Sequence, residues 1–126
     1  MIPWSPLARG FLAGTRTTDR SGETARSKSD AFAHQMYYQE ADFRVLDRCV
    51  ELANQRDVRP AQIALAWMLH KPGITAPIIG ASKMYQLEEA VAGAEISLDA
   101  DEMKLLEEPY VPHRILGHAV APDIRS

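Results

Sequence analysis

Three groups of residues in this chain have types and spacing suited to holding a ligand. The first is the run Ile79-Gly80-Ala81-Ser82-Lys83, which reads as an extended segment turning into a helix. Gly80 lets a ligand come close to the backbone. Ser82 brings a hydroxyl and Lys83 a positive charge, and a helix start brings unpaired N–H groups and the positive end of the dipole. Together they suit an anion, most naturally a phosphate. The plainer reading is an N-cap followed by a solvated lysine, and spacing alone favours it. The second group is Gln86 and Glu89, three residues apart and so on one helix face. An amide and a carboxylate there can hydrogen-bond a purine edge or an exocyclic amine; two solvated surface side chains are the competing reading. The third is Trp4-Ser5-Pro6-Leu7 with Arg9-Gly10. The Ser5 hydroxyl and the backbone N–H groups beyond Pro6 could take a pyrophosphate, or the run could be a turn packed on a core. Arg26 could clamp a phosphate, or stand in water.

Other chemistries are absent by motif. The sequence holds no C-x-x-C, no H-E-x-x-H, no G-x-G-x-x-G and no phosphate-loop glycine run, so no metal site is expected. His34, His70, His113 and His118 are scattered. His70 falls near a helix C-terminus, where the dipole favours it. Cys49 lies mid-helix among apolar neighbours, which points to packing rather than nucleophilic chemistry.

The elements that would position these groups follow from periodicity. Met1-Ile-Pro-Trp-Ser5 reads as a short strand or extended segment, with Pro3 and Pro6 restricting it to an edge or strand end. Residues 6–14 are bounded by glycine and short, and residues 15–29 read as an exposed loop. Phe43, Leu46, Val50 and Ala53 recur at helical spacing within a helix expected over residues 35–56. Pro60 opens a second helix, residues 60–70, whose centre Ile63-Ala-Leu-Ala-Trp-Met-Leu69 is apolar nearly all round and should be buried. Pro72-Gly73 stops it. Ile74-Thr-Ala-Pro-Ile-Ile79 reads as a short buried strand. Ser82 is the expected N-cap of a helix over residues 83–92, closed by Gly93. Asp99 with Glu102 marks a capping box opening a last helix, residues 99–108, ended by Pro109. Strands alternating with helices suggest βα units and a parallel sheet. Two strands make no independent sheet domain, so the pattern belongs to something larger or pairs with another chain.

Length and composition bound the answer. The 126 residues give room for one small domain, and 46% hydrophobic with 25% charged residues is ordinary for a soluble globular chain. A complete (β/α)₈ barrel, at about 200 residues or more, does not fit. The net charge of −3 argues against a nucleic-acid binder. Charge is unevenly spread: Arg9, Arg16, Arg20, Arg26 and Lys28 outnumber Asp19 and Glu23, whereas residues 86–108 are strongly acidic. A small anion near the basic segment fits this better than a polyanion. The lone Cys49 can form no internal disulfide and fits a reducing compartment, the cytoplasm by default. No secretory leader is expected. No apolar run approaches the roughly 18 residues of a membrane span.

With these residues in view, the chain resembles the aldo-keto reductases. Trp4-Ser5-Pro6-Leu7-Ala8-Arg9-Gly10-Phe11-Leu12-Ala13-Gly14 is similar to the segment of barrel strand seven that opens the family's cofactor loop. Pro60-Ala61-Gln62-Ile63-Ala64-Leu65-Ala66-Trp67 resembles the seventh barrel helix. Ile78-Ile79-Gly80-Ala81-Ser82-Lys83 with Gln86-Leu87-Glu88-Glu89 resembles strand eight and the adenosine-binding helix. The three occur in family order and spacing, over roughly residues 1–108.

The resemblance implies an α/β fold: a partial (β/α)₈ TIM barrel, helix-rich, consisting of C-terminal βα units only. Residues 1–108 would be the C-terminal part of an NADP-dependent oxidoreductase domain and residues 109–126 an irregular tail. It implies NADP as cofactor and reversible hydride transfer to an aldehyde or ketone. Trp4, Ser5, Pro6, Leu7, Arg9 and Gly10 would lie along the nicotinamide and pyrophosphate. Gly80, Ser82 and Lys83 would lie near the 2′-phosphate, and Gln86 and Glu89 at the adenine. Arg26 would match the loop arginine over the cofactor. Two positions depart from the pattern: Ala90 stands where the family often has asparagine, and Thr15 where many members have lysine. The family's catalytic Asp, Tyr, Lys and His belong to earlier barrel strands, and Tyr37, Tyr38, Tyr85 and Tyr110 do not match that motif. No catalytic residue is therefore assigned, and the isolated chain is expected to show no turnover. The alternatives are a non-catalytic NADP-binding or interaction module, or a remnant without independent function. Without the other barrel units, the helix at residues 63–69 is expected to expose an apolar patch, with self-association or partial disorder as the result.

Overall fold

The computed structural model describes residues 1–3, 5–13 and 39–112. Their order is an extended segment, a 3₁₀ helix (Ala8–Ala13), α1 (Glu40–Arg56), α2 (Pro60–Leu69), a second extended segment, α3 (Met84–Gly93) and α4 (Ala100–Glu107). The expectations for the loop at residues 15–29, for the start of the first helix, and for the tail beyond residue 112 lie outside the described residues.

Each helix has a local cause. Helix α1 opens at Gln39, whose N–H donates to Asp42 Oδ2 at 3.0 Å. It closes at Asp57, in the left-handed region (φ 54°, ψ 46°), with Val58 N–H returning to the Ala53 carbonyl at 3.0 Å. Pro60 stands at the first position of α2, where its missing N–H removes nothing from the helix ladder. Helix α4 carries the reciprocal box expected of Asp99 and Glu102: Glu102 N–H donates to Asp99 Oδ1 at 2.8 Å and Asp99 N–H to Glu102 Oε2 at 2.9 Å.

The core is a helix interface. Leu46, Cys49, Leu52 and Ala53 of α1 are buried, and Cys49, Leu52 and Ala53 form one cluster with Ile63, Ala64 and Ala66 of α2 and with Leu98 and Leu106. Leu46, Leu52 and Ile63 are the largest fully buried side chains. Each contributes about 1.5–3 kcal/mol of burial free energy. The buried stripe of α1 is turned slightly from the expected one: Val50 is only half-buried, and Phe43 meets Phe11 edge-on with centroids 5.2 Å apart. Polar clasps close the periphery. Arg56 binds Glu102 in a fork, 2.6 Å at each nitrogen, and donates to the Ser97 carbonyl at 2.9 Å. Trp67 Nε1–H donates to Glu107 Oε1 at 2.9 Å, and Lys71 pairs with the same carboxylate.

Two expectations change. The two strands are extended segments that run parallel and meet in a single bridge at Ile78; no strand forms among the described residues. Met1 N donates to the Gly73 carbonyl, Thr75 N–H to the Met1 carbonyl and Ile78 N–H to the Pro3 carbonyl, each at 2.8 Å. The step from Thr75 to Ile78 against Met1 to Pro3 carries one extra residue, a bulge. Pro3 and Pro77 supply no N–H at the positions where a ladder would continue. Nor does the centre of α2 expose an apolar patch. Ile63, Ala64, Leu65 and Ala66 are buried, because α1, α3 and the 3₁₀ helix surround them. Exposed apolar side chains lie elsewhere, among them Met84, Leu87 and Val91 of α3 at 69%, 44% and 60%, and Met1, Ile2 and Ile78 of the extended pair at 81%, 60% and 56%.

Candidate functional site

The parallel pairing decides where the candidate groups stand. Because the two extended segments run the same way, Ser5 and Gly80 leave the pair from one end, their C-terminal end. In sheets built from βα units, that end is where ligands bind.

The first segment turns sharply there. Ser5 (φ 54°) and Ala8 (φ 49°) are both left-handed, and Gly10 follows at φ 91°. The first two are two of the three non-glycine residues with positive φ among the described residues, the third being the cap Asp57. Such conformations cost about 1–3 kcal/mol each and gather at functional sites. Pro6 is buried and Leu7 packs against the core cluster, so the turn is anchored from below. The amides of Ala8, Gly10 and Leu12 donate to the carbonyls of Ser5 and Leu7 at 3.0–3.2 Å, so these three donors beyond Pro6 are engaged within the turn. Trp4 and Arg26 lie outside the described residues, and only the backbone of Arg9 is described.

The second segment gathers its residues at the start of α3. Lys83 rather than Ser82 is the N-cap. The Gln86 Oε1 accepts from Ser82 N–H at 2.9 Å, Lys83 N–H at 3.2 Å and the Ser82 hydroxyl at 3.3 Å. One amide oxygen thus fills the acceptor position that an anion's oxygen would take. No acidic residue occupies the first turn of α3, so nothing there opposes an anion. The Lys83 ammonium is exposed and lies 5.9 Å from the centroid of the Tyr85 ring. Gly80 is exposed, and a Cβ built on it meets nothing within 4 Å. Glu89 shares the inner face of α3 with Gln86, as the three-residue spacing requires. Its carboxylate is held by Arg59, with Oε1 3.4 Å from Nε.

The sequence reading passed over Arg59 and gave Gln62 no role. Gln62 is the one buried polar residue among those described. Its Oε1 accepts from Arg59 N–H at 2.9 Å and its Nε2 donates to the Glu89 carbonyl at 3.0 Å. The detectable signal was Gln at the third position of a helix that begins with Pro, which marks a capping side chain; its long-range bond to Glu89 has no local signature.

Other polar groups have structural work. Cys49 is buried, donates to the Pro60 carbonyl at 3.2 Å, and has its thiol pushed up to about 12 by burial. A thiolate is thereby disfavoured, in line with a packing role. His70 Nδ1 lies 2.7 Å from the Ala66 carbonyl, and Nε2 accepts from Leu98 N–H at 3.2 Å. The ring thus bridges the end of α2 and the segment that leads to α4. No group of metal-ligating side chains exists among the described residues. No helix among them is long and apolar enough to cross a membrane.

The sequence profile of the Aldo/keto reductase family matches residues 1–110. A Schizosaccharomyces pombe protein carrying an aryl-alcohol dehydrogenase name is 44% identical over 93% of this chain and 32% of its own length. The versiconal hemiacetal acetate reductase of Aspergillus parasiticus is 39% identical over 91% of this chain and 33% of its own. The aldo-keto reductase dtxS3 of Metarhizium robertsii is 40% identical over 94% and 31%. The chain spans about a third of the length of these relatives.

Proposed function

Because the chain belongs to the aldo/keto reductase family, we propose that it supplies the adenosine-side half of an NADP(H) site. The whole protein's reaction is then hydride transfer between the nicotinamide and an aldehyde or ketone. The observation that carries this reading is the parallel pairing of residues 1–3 with residues 74–78, which sends Ser5 and Gly80 out of the same end. In that arrangement, Ser82 and Lys83 take the 2′-phosphate, Gln86 and Glu89 the adenine, and the strained turn at Ser5 to Gly10 the pyrophosphate and nicotinamide side. Trp4, Pro6, Leu7, Arg9 and Arg26 belong to the same proposal by family position. The cofactor supplies the hydride; the residues of this chain bind and orient it. Preference for NADP over NAD rests on the positive charge of Lys83 and of nearby arginines. Residues 1–108 are read as the C-terminal part of a (β/α)₈ barrel domain, with residues 109–126 a tail, in a cytoplasmic protein. No proton donor is assigned in this chain, and the 126 residues alone should not turn over a carbonyl substrate.

The test is tryptophan fluorescence of the purified chain, titrated with NADPH and then NADH. Trp4 lies in the proposed cofactor segment and Trp67 against α4, so binding and folding both report. Saturable quenching, tighter with NADPH, is expected. A flat titration from a folded chain overturns the reading.

A second reading, self-association, is favoured by one observation. Met84, Leu87 and Val91 recur along the outer face of α3, and Leu87 and Val91 border a shallow groove of about 400 Å³ with Glu88, Ala92 and Glu95. An exposed stripe of this kind calls for a covering surface. Sedimentation over a range of concentrations tests it, and a monomer throughout refutes it.

A further inference from the structure

The geometry points to Gln62 and Arg59 as positioning residues: they hold the inner face of α3 and so set where Gln86 and Glu89 meet the adenosine half of a phosphorylated nucleotide. This rests on the cofactor-site reading above. The two stand at the start of α2 and reach the same residue of α3 by different atoms. Gln62 Nε2 donates to the Glu89 backbone carbonyl at 3.0 Å, and Arg59 Nε lies 3.4 Å from the Glu89 carboxylate. One turn further along α3, Gly93 lies against the Gln62 backbone, where a Cβ would come within 3.1 Å of its Cα. A helix held at two points one turn apart on one face cannot roll about its axis. Rolling is the motion that would swing Gln86 and Glu89 away from the mouth of the pair.

The Gln62 amide is built for this. It is 8% exposed, and both its ends are used: Oε1 takes the Arg59 N–H at 2.9 Å, which fixes the side chain so that Nε2 can point only at α3. A buried amide that lost one partner would be penalised, so the pair of bonds stands or falls together. The Glu89 carbonyl already belongs to its own helix and needs no second donor. The extra bond therefore orients α3 more than it forms it.

The experiment compares the chain with three variants. Gln62→Met keeps size and removes both bonds. Arg59→Ala removes a side chain that is 72% exposed and should leave folding intact. Leu106→Val trims the core at α4, whose packing partner is α1. For each, the melting temperature is measured, and the dissociation constant of adenosine 2′,5′-bisphosphate is measured by calorimetry well below that temperature. Gln62→Met and Arg59→Ala should weaken binding by about three- to tenfold, the size of one or two lost hydrogen bonds. Leu106→Val should lower the melting temperature and leave affinity alone. If affinity in all three merely follows melting temperature, or if the first two bind like the parent, the positioning role is overturned while the cofactor reading stands. If Gln62→Met does not fold, Arg59→Ala decides. If the parent chain binds neither this probe nor NADPH, the cofactor reading falls and takes the positioning role with it.

Discussion

Replacing Gly93 by alanine sets two effects of known size against each other. Alanine is the better helix former, and the exchange in a helix interior gains about 0.5–1 kcal/mol. Gly93 is the last residue of α3, so the gain is at the low end. Against it stands the contact with α2. The new methyl would lie 3.1 Å from Gln62 Cα, 3.3 Å from its carbonyl oxygen and 3.4 Å from its Cβ. Those atoms are mostly backbone, in a helix whose neighbours Ile63 and Ala66 are 0% and 1% exposed, so they have nowhere to go. Relief comes only if α3 moves outward by a few tenths of an ångström, which lengthens the 3.0 Å bond from Gln62 to Glu89. Overpacking of this kind costs about 1–3 kcal/mol. The balance is a net loss of about 1–2 kcal/mol, and each kcal/mol is worth about 4 °C of melting temperature in a chain of 126 residues. Thermal denaturation by circular dichroism reads it. A melting temperature equal to or above the parent's would refute the reasoning, because propensity would then have won and α2 and α3 could not be in close contact.

Two further predictions follow from groups with shifted titration. The Arg56 fork holds the Glu102 carboxyl below its ordinary 4.5, and Lys71 with the Trp67 N–H does the same for Glu107. A carboxyl whose folded value is lowered stabilises the fold above its unfolded value and loses that contribution as pH falls through the folded one. Melting temperature should therefore be level above about pH 5 and fall below it, and Glu102→Gln should flatten the fall. A parent chain whose melting temperature does not change between pH 6 and pH 3 contradicts this. Cys49, with its thiol pushed up to about 12, should resist an aromatic disulfide reagent at pH 8 in the folded chain and react at once in denaturant; fast labelling of the native chain would mean that the interface of α1 and α2 is open.

How much of this was legible in the sequence depended on how local each cause was. The four long helices could be read because their signals are local: Pro60 at the first turn, Asp99 with Glu102, Pro72-Gly73 as a stop, and the apolar period of α1. The strands were overread because Ile74-Thr-Ala-Pro-Ile-Ile79 has strand composition, while a ladder needs donors that Pro3 and Pro77 lack. The centre of the helix at Pro60 to Leu69 was expected to be buried, and it is, but by α1 and α3 of this chain rather than by further barrel units, so the expected bare patch does not arise; periodicity says which residues want burial but not which neighbour provides it. The same limit explains α3. Its exposed Met84, Leu87 and Val91 and its half-buried Gln86 and Glu89 reverse the usual arrangement of a surface helix, in which apolar residues face the core. That reversal has a physical cause on the inner side. Glycine at residue 93 permits close approach, and Gln62 and Arg59 both bind Glu89 across it. A helix whose polar face is held inward by specific bonds while its apolar face stands in water is arranged for two surfaces at once. In the proposed reading the inner face meets the nucleotide, and the outer, apolar face is the one a second copy of the chain would cover.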